Sequence, residues 1–180
     1  MNTRRILVHA VRVALSAALP ALGLAACDGA ADYRPLAVGD RVPAFAAPDL
    51  AGDTVSLASL EGEAVLLNIW ATWCPPCREE MPELQAIADE YGPRGLRVIG
   101  VSIDARGAED AIRAFLEDHG IGFTILHDAD DRVTRAFRTA GVPETFLIDR
   151  EGRLAGRWIG KLKPGAPEVR ERVEQVLGEG

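Results

Sequence analysis

From residue 42 onward, apolar positions alternate between short continuous runs and repeats at three- and four-residue steps, the signature of strands interleaved with helices. Residues 42–60, broken by Ala51-Gly52-Asp53, predict a short N-terminal hairpin, and Ala64–Trp70 reads as a buried strand. Met81, Leu84, Ala88 and Tyr91 share one face of a helix that ends near Gly92-Pro93, with Pro82 expected to kink it. A strand at residues 97–103 leads to a helix through Ala111, Ile112, Phe115 and Leu116. A short strand at 123–126 then leads to a helix carrying Val133, Ala136 and Phe137. Residues 145–148 and 154–158 flank the turn Asp149-Arg150-Glu151-Gly152 as an antiparallel hairpin. A last helix places Val169, Val173, Val176 and Leu177 on one side. The order ββ-β-α-β-α-β-α-ββ-α predicts an α/β domain whose mixed central sheet has helices on both faces.

The first 26 residues have another character. Thr3, Arg4 and Arg5 make a cationic start, and residues 13–26 are small and apolar, so residues 1–26 read as a signal peptide. Leu24-Ala25-Ala26-Cys27 resembles a bacterial lipobox, which makes Cys27 the expected lipid-attachment site on the outer side of a membrane. An uncleaved helical anchor and an incidental cysteine are the alternatives. Residues 27–40 then serve as tether and linker, with Gly29, Pro35 and Gly39 among alanines and polar residues, and the globular domain spans 41–180.

The 180 residues carry a net charge of −7, and all 27 acidic residues follow Cys27. Losing Arg4, Arg5 and Arg12 with the leader takes the charge to −10. An acidic body without a basic cluster repels phosphate backbones, which argues against nucleic acid. His9, His119 and His127 have no ligand-like spacing with the cysteines, so no metal and no cofactor are expected.

The chemistry concentrates in Trp73-Cys74-Pro75-Pro76-Cys77. Cysteines three residues apart at a helix start lie close enough to close a disulfide. Unpaired N–H groups and the helix dipole favour a Cys74 thiolate, taking its pKa from about 8.5 toward roughly 7. Cys74 is then the solvent-facing attacking thiol and Cys77, one turn inside, the shielded resolving thiol. Zinc would need two further ligands, and a structural bridge spanning two intervening residues constrains the unfolded chain little.

Two segments, residues 68–82 (NIWATWCPPCREEMP) and 141–149 (GVPETFLID), resemble the TlpA/ResA-like branch of the thioredoxin-fold oxidoreductases. The resemblance implies a thioredoxin fold with an N-terminal β-hairpin and an extra βα insertion. It also implies a cis Val142-Pro143 bond facing the cysteines, with the Val142 backbone pairing an extended substrate segment. Thioredoxin itself has a buried aspartate where this chain has Asn68. Glu80 follows Cys77 by three positions, its side chain leaning back over the cysteine turn. By resemblance Glu80 exchanges a proton with the resolving thiol, against the plainer reading of an exposed helix glutamate like Glu79. Trp73 and Pro75 are expected as an apolar contact rim for a protein substrate, with packing beside the active-site loop as the alternative for Trp73. Glu144 belongs to a Pro-Glu-Thr string also found in cytochrome c maturation thioredoxins, although their longer pattern before the proline is absent here.

The motif alone leaves the direction of electron flow open, since such pairs span about −120 to −270 mV. Resemblance favours a reductant of exported disulfide-bearing proteins, with apocytochrome c as one candidate. Its electrons would come from a transmembrane thiol reductase of the CcdA or DsbD type. A disulfide-forming oxidase, a thiol peroxidase and a non-catalytic binding lipoprotein are the rivals. Thr72 resembles part of a peroxidatic site, but that chemistry needs threonine at position 71, where this chain has alanine.

Overall fold

The computed structural model describes residues 34–163 and 165–178. The expected signal peptide and Cys27 lie outside the described residues. The hairpin is shorter than expected. Only β1 (Ala46–Pro48) and β2 (Thr54–Ser56) pair, and a 3-10 turn at Leu57–Leu60 takes up the remainder. Then come β3 (Ala64–Trp70), α1 (Pro75–Tyr91), β4 (Leu96–Ser102), α2 (Glu109–Asp118), β5 (Thr124–His127), α3 (Arg132–Phe137), β6 (Glu144–Ile148), β7 (Leu154–Ile159) and α4 (Pro167–Gly178). Helix α1 continues through Pro82, so the proline removes one intrahelical donor without ending the helix.

The main sheet runs β5-β4-β3-β6-β7, parallel from β3 to β5 and antiparallel across β6 and β7. All seven residues of β3 are buried, as expected for a central strand covered on both sides. Alternate side chains feed two cores. Leu66 and Trp70 meet α1, α2 and α4 on one face, whereas Val65, Leu67 and Ile69 meet α3, Phe45 and Ala47 on the other. Each such Leu or Ile contributes about 1.5–3 kcal/mol by burial. Gly100 on β4 is needed for close approach, since a Cβ there would lie 2.7 Å from Ile125 and 3.0 Å from the Trp70 indole nitrogen. β5 supplies the edge strand beside β4.

The end of the expected linker belongs to the domain. Asp40 accepts two bonds from the Arg34 guanidinium, and the backbones of Gly39 and Asp40 bond Leu154 at the start of β7. Among the described residues no helix is long and apolar enough to cross a membrane.

Candidate active site

The strand β3 delivers the chain to Cys74, the N-cap of α1, and Cys74 and Cys77 are joined as a disulfide with their Cα atoms 5.3 Å apart. Pro75 and Pro76 fill the first two helical positions and have no N–H to offer. The Arg78 N–H already bonds the Cys74 carbonyl. One donor is left for the sulfur, the Cys77 N–H, 3.3 Å from Cys74 Sγ. The anion-favouring character of this helix start is thus focused in a single bond rather than spread over several. Cys77 is fully buried and Cys74 is 4% exposed. In this disulfide state both cysteines are therefore covered.

Glu80, one turn beyond Cys77, is fully buried, unlike its neighbour Glu79, which is exposed and pairs with Lys161 at 3.0 Å. One Glu80 oxygen accepts from Asn68 Nδ2 at 2.7 Å and the other from the Leu162 N–H at 2.6 Å. No cation bonds it. Burial pushes its carboxyl up to about 7, and the bonds from Leu162 and Asn68 only partly oppose that shift. Asn68 also donates to Thr145 Oγ1 at 2.9 Å, so its amide is anchored to β6 while it orients Glu80. Sequence reasoning noticed Asn68 only as a missing acid. The legible signal was a polar residue in the middle of a fully buried strand, which needs a partner. The Leu162 N–H, from the β7–α4 connection, left no such signal.

The expected rim residues separate. Trp73 is 63% exposed and, with Ile103, Asp131, Thr134, Gly141 and Val142, lines a groove of about 460 Å³. Pro75 lies on a second groove, with Arg78, Pro82 and His119. The Val142-Pro143 bond is cis, and among the described residues neither backbone polar group of Val142 has a hydrogen-bond partner. The Pro143 carbonyl accepts from Gly160. Glu144 is corrected. Its side chain is wholly buried, ion-paired to Arg157 and accepting from the Ala140 N–H at 2.9 Å, so it supports the turn before Pro143 from behind and does not face a substrate.

A family model described as the AhpC/TSA family matches residues 38–157. The chain belongs to this family. Within the AhpC/TSA family its relatives include the thiol-disulfide oxidoreductase ResA of Bacillus anthracis, 30% identical over 147 residues covering 82% of this chain and 80% of that protein. The ResA of Oceanobacillus iheyensis is 35% identical over 121 residues, covering 65% and 62% of the two chains. Among solved structures, a protein assigned as the thiol:disulfide interchange protein DsbE from Chlorobium tepidum superposes with a TM-score of 0.73 at 32% identity. That match covers 79% of this chain and 99% of the other. The thioredoxin fold follows from that superposition. With the Cys74–Cys77 bridge in place, this AhpC/TSA member is a thiol-disulfide oxidoreductase of ResA-like kind.

Proposed function

We propose that this protein is an extracytoplasmic protein-disulfide reductase, tethered through lipidated Cys27, that reduces exported proteins and is recharged by a transmembrane thiol reductase of the CcdA or DsbD type. The observation that carries this reading is a buried carboxylate of near-neutral pKa, Glu80, one helical turn from the resolving thiol. In the reduced protein the Cys74 thiolate attacks one sulfur of a substrate disulfide. That bond breaks, a mixed disulfide forms, and the other substrate sulfur leaves as a thiolate. Cys77 passes its proton to Glu80 and attacks Cys74 Sγ, forming the Cys74–Cys77 bridge and releasing the substrate dithiol. Two electrons go from enzyme to substrate, and the transmembrane reductase returns two. A base poised near neutrality suits that second step, since the proton moves both ways with little driving force against it.

The Val142 backbone, unpaired among the described residues and at the edge of the Trp73 groove, suits an extended substrate segment added as a strand. Apocytochrome c, with its cysteine pair, is the candidate substrate class. Reduced wild-type protein should reduce insulin disulfides and Cys74→Ser should not. Cys77→Ser should accumulate a mixed disulfide with the physiological substrate. Redox equilibrium with glutathione checks the direction, and a potential near about −120 mV would overturn the reductant reading.

A further inference from the structure

The loop between β3 and α1 carries both the attacking cysteine and the exposed Trp73, yet little within it holds it still. Its main-chain ties are the Cys74 N–H to the Ala71 carbonyl, at 3.2 Å, and the Ile103 N–H to the Trp70 carbonyl, at 3.0 Å. Between them sits Thr72. Thr72 is gripped at two points by Asp104, just beyond the end of β4: its hydroxyl donates to Oδ1 at 2.6 Å and its N–H to Oδ2 at 3.0 Å. Asp104 is 2% exposed and is itself braced. Ser102 Oγ donates to Oδ2 at 2.7 Å and accepts from the Asp104 N–H at 3.1 Å. The Asp104 carbonyl lies 2.9 Å from His127 Nε2 at the end of β5, and the other ring nitrogen lies 3.2 Å from a Glu109 oxygen at the start of α2.

We propose that Asp104 is a positioning residue for the thiol exchange, holding the Thr72-Trp73-Cys74 loop through Thr72 so that Cys74 Sγ stays on the Cys77 N–H and Trp73 stays on the groove. β3 and β4 are parallel neighbours, with Trp70 opposite Ser102, so the loop after one and Asp104 after the other emerge side by side. Three donors converge on the two carboxylate oxygens, and none of these bonds needs a proton on the acid. A bidentate hold on one residue fixes position and orientation together, and small misplacements of a nucleophile are expensive in rate. Among the described residues no other side chain bonds residues 71–73. The inference rests on the exchange chemistry at Cys74 and is independent of substrate identity and of electron direction.

The test compares Thr72→Val with Thr72→Ser, since Thr72→Val leaves the Asp104 carboxylate in place and removes one of its two holds. In Thr72→Val, kcat for insulin reduction should fall about tenfold with KM within about twofold. The pH midpoint for alkylation of Cys74 in the reduced protein should rise by about half a unit, as the bond from the Cys77 N–H loosens. Thr72→Ser should restore both readings. Asp104→Ala should lower kcat at least as far, and adding Thr72→Val to it should change kcat no further. Urea unfolding identifies the folded fraction; where Asp104→Ala does not fold, the Thr72 pair decides alone. Wild-type kcat and alkylation midpoint in folded Thr72→Val, or equal losses in Thr72→Ser, would overturn the assignment. A wild-type protein that fails to reduce insulin would refute the reductase reading while the alkylation midpoints still test the loop.

Discussion

Glu80 and Glu144 are two fully buried carboxylates on opposite faces of the same sheet, a residue or two from the same strand crossing: Asn68 pairs with Thr145 and Ile69 with Glu144. Their surroundings differ in one respect. Glu144 faces Arg157, which also lies over the Phe146 ring, so its charge is matched within the core and the pair ties β6, β7 and the turn before Pro143 together. Among the described residues Glu80 is offered only neutral donors, an amide and a backbone N–H, and its carboxyl is pushed up to about 7. Burial with a cation makes an acid structural. Burial without one makes it titrate where thiol chemistry needs a base.

Three sets of variants sharpen this contrast. The largest effect is expected on the structural side: Glu144→Ala takes the carboxylate away from the largely buried Arg157 guanidinium, which keeps only the Leu36 and Arg138 carbonyls, and should cost about 3–5 kcal/mol in urea unfolding. Replacing Glu144 and Arg157 together by methionine should recover most of that loss, because no charge is left unpaired. A Glu144→Ala protein as stable as wild type would show that the pair is not holding the turn.

Next comes Glu80→Gln. A folded-state pKa of about 7 against 4.5 means that the folded protein holds this proton more tightly than the unfolded chain. Its contribution to stability is therefore full below about pH 4.5 and is lost as pH rises through 7, by about 3 kcal/mol in all. That slope should vanish in Glu80→Gln when unfolding is measured on the oxidised protein across this range. Resolution of the mixed disulfide near pH 7 should slow about a hundredfold. An unchanged rate would remove Glu80 from the chemistry while leaving its titration intact.

The smallest effect belongs to Lys161→Ala. This residue forms a solvent-exposed pair with Glu79, of a kind that adds little to stability. Its positive charge also holds the Glu80 pKa down slightly, so its loss should shift the Glu80-dependent midpoint upward. A downward shift would contradict the placement of Lys161 beside that carboxyl.

Much of this was legible along the chain. The succession of elements was readable because each strand or helix imposes its own local period, and the nine-residue segment from Asn68 to Pro76 ran straight from buried strand to helix cap. The cysteine spacing and the position of Glu80 three residues on were equally local facts. Glu144 was misread because its partner lies 13 residues away across a hairpin, and nothing near Pro143 betrays that Arg157 points back at it. Residues 34–40 looked like linker because Pro35 and Gly39 leave no hydrophobic period there, and nothing local shows the Arg34–Asp40 pair or the bonds to β7.

By itself the sequence determined the order of elements, the two reactive sulfurs and their place at a helix start, all set by periodicity and spacing within a few residues. Only the tertiary structure decided which acids are buried, which of them meets a cation, that Asn68 orients Glu80, and that Asp104 reaches across 32 positions to Thr72. The physical reason is that desolvation and hydrogen-bond partnership depend on what the rest of the chain brings alongside, and a residue's immediate neighbours in sequence do not specify that.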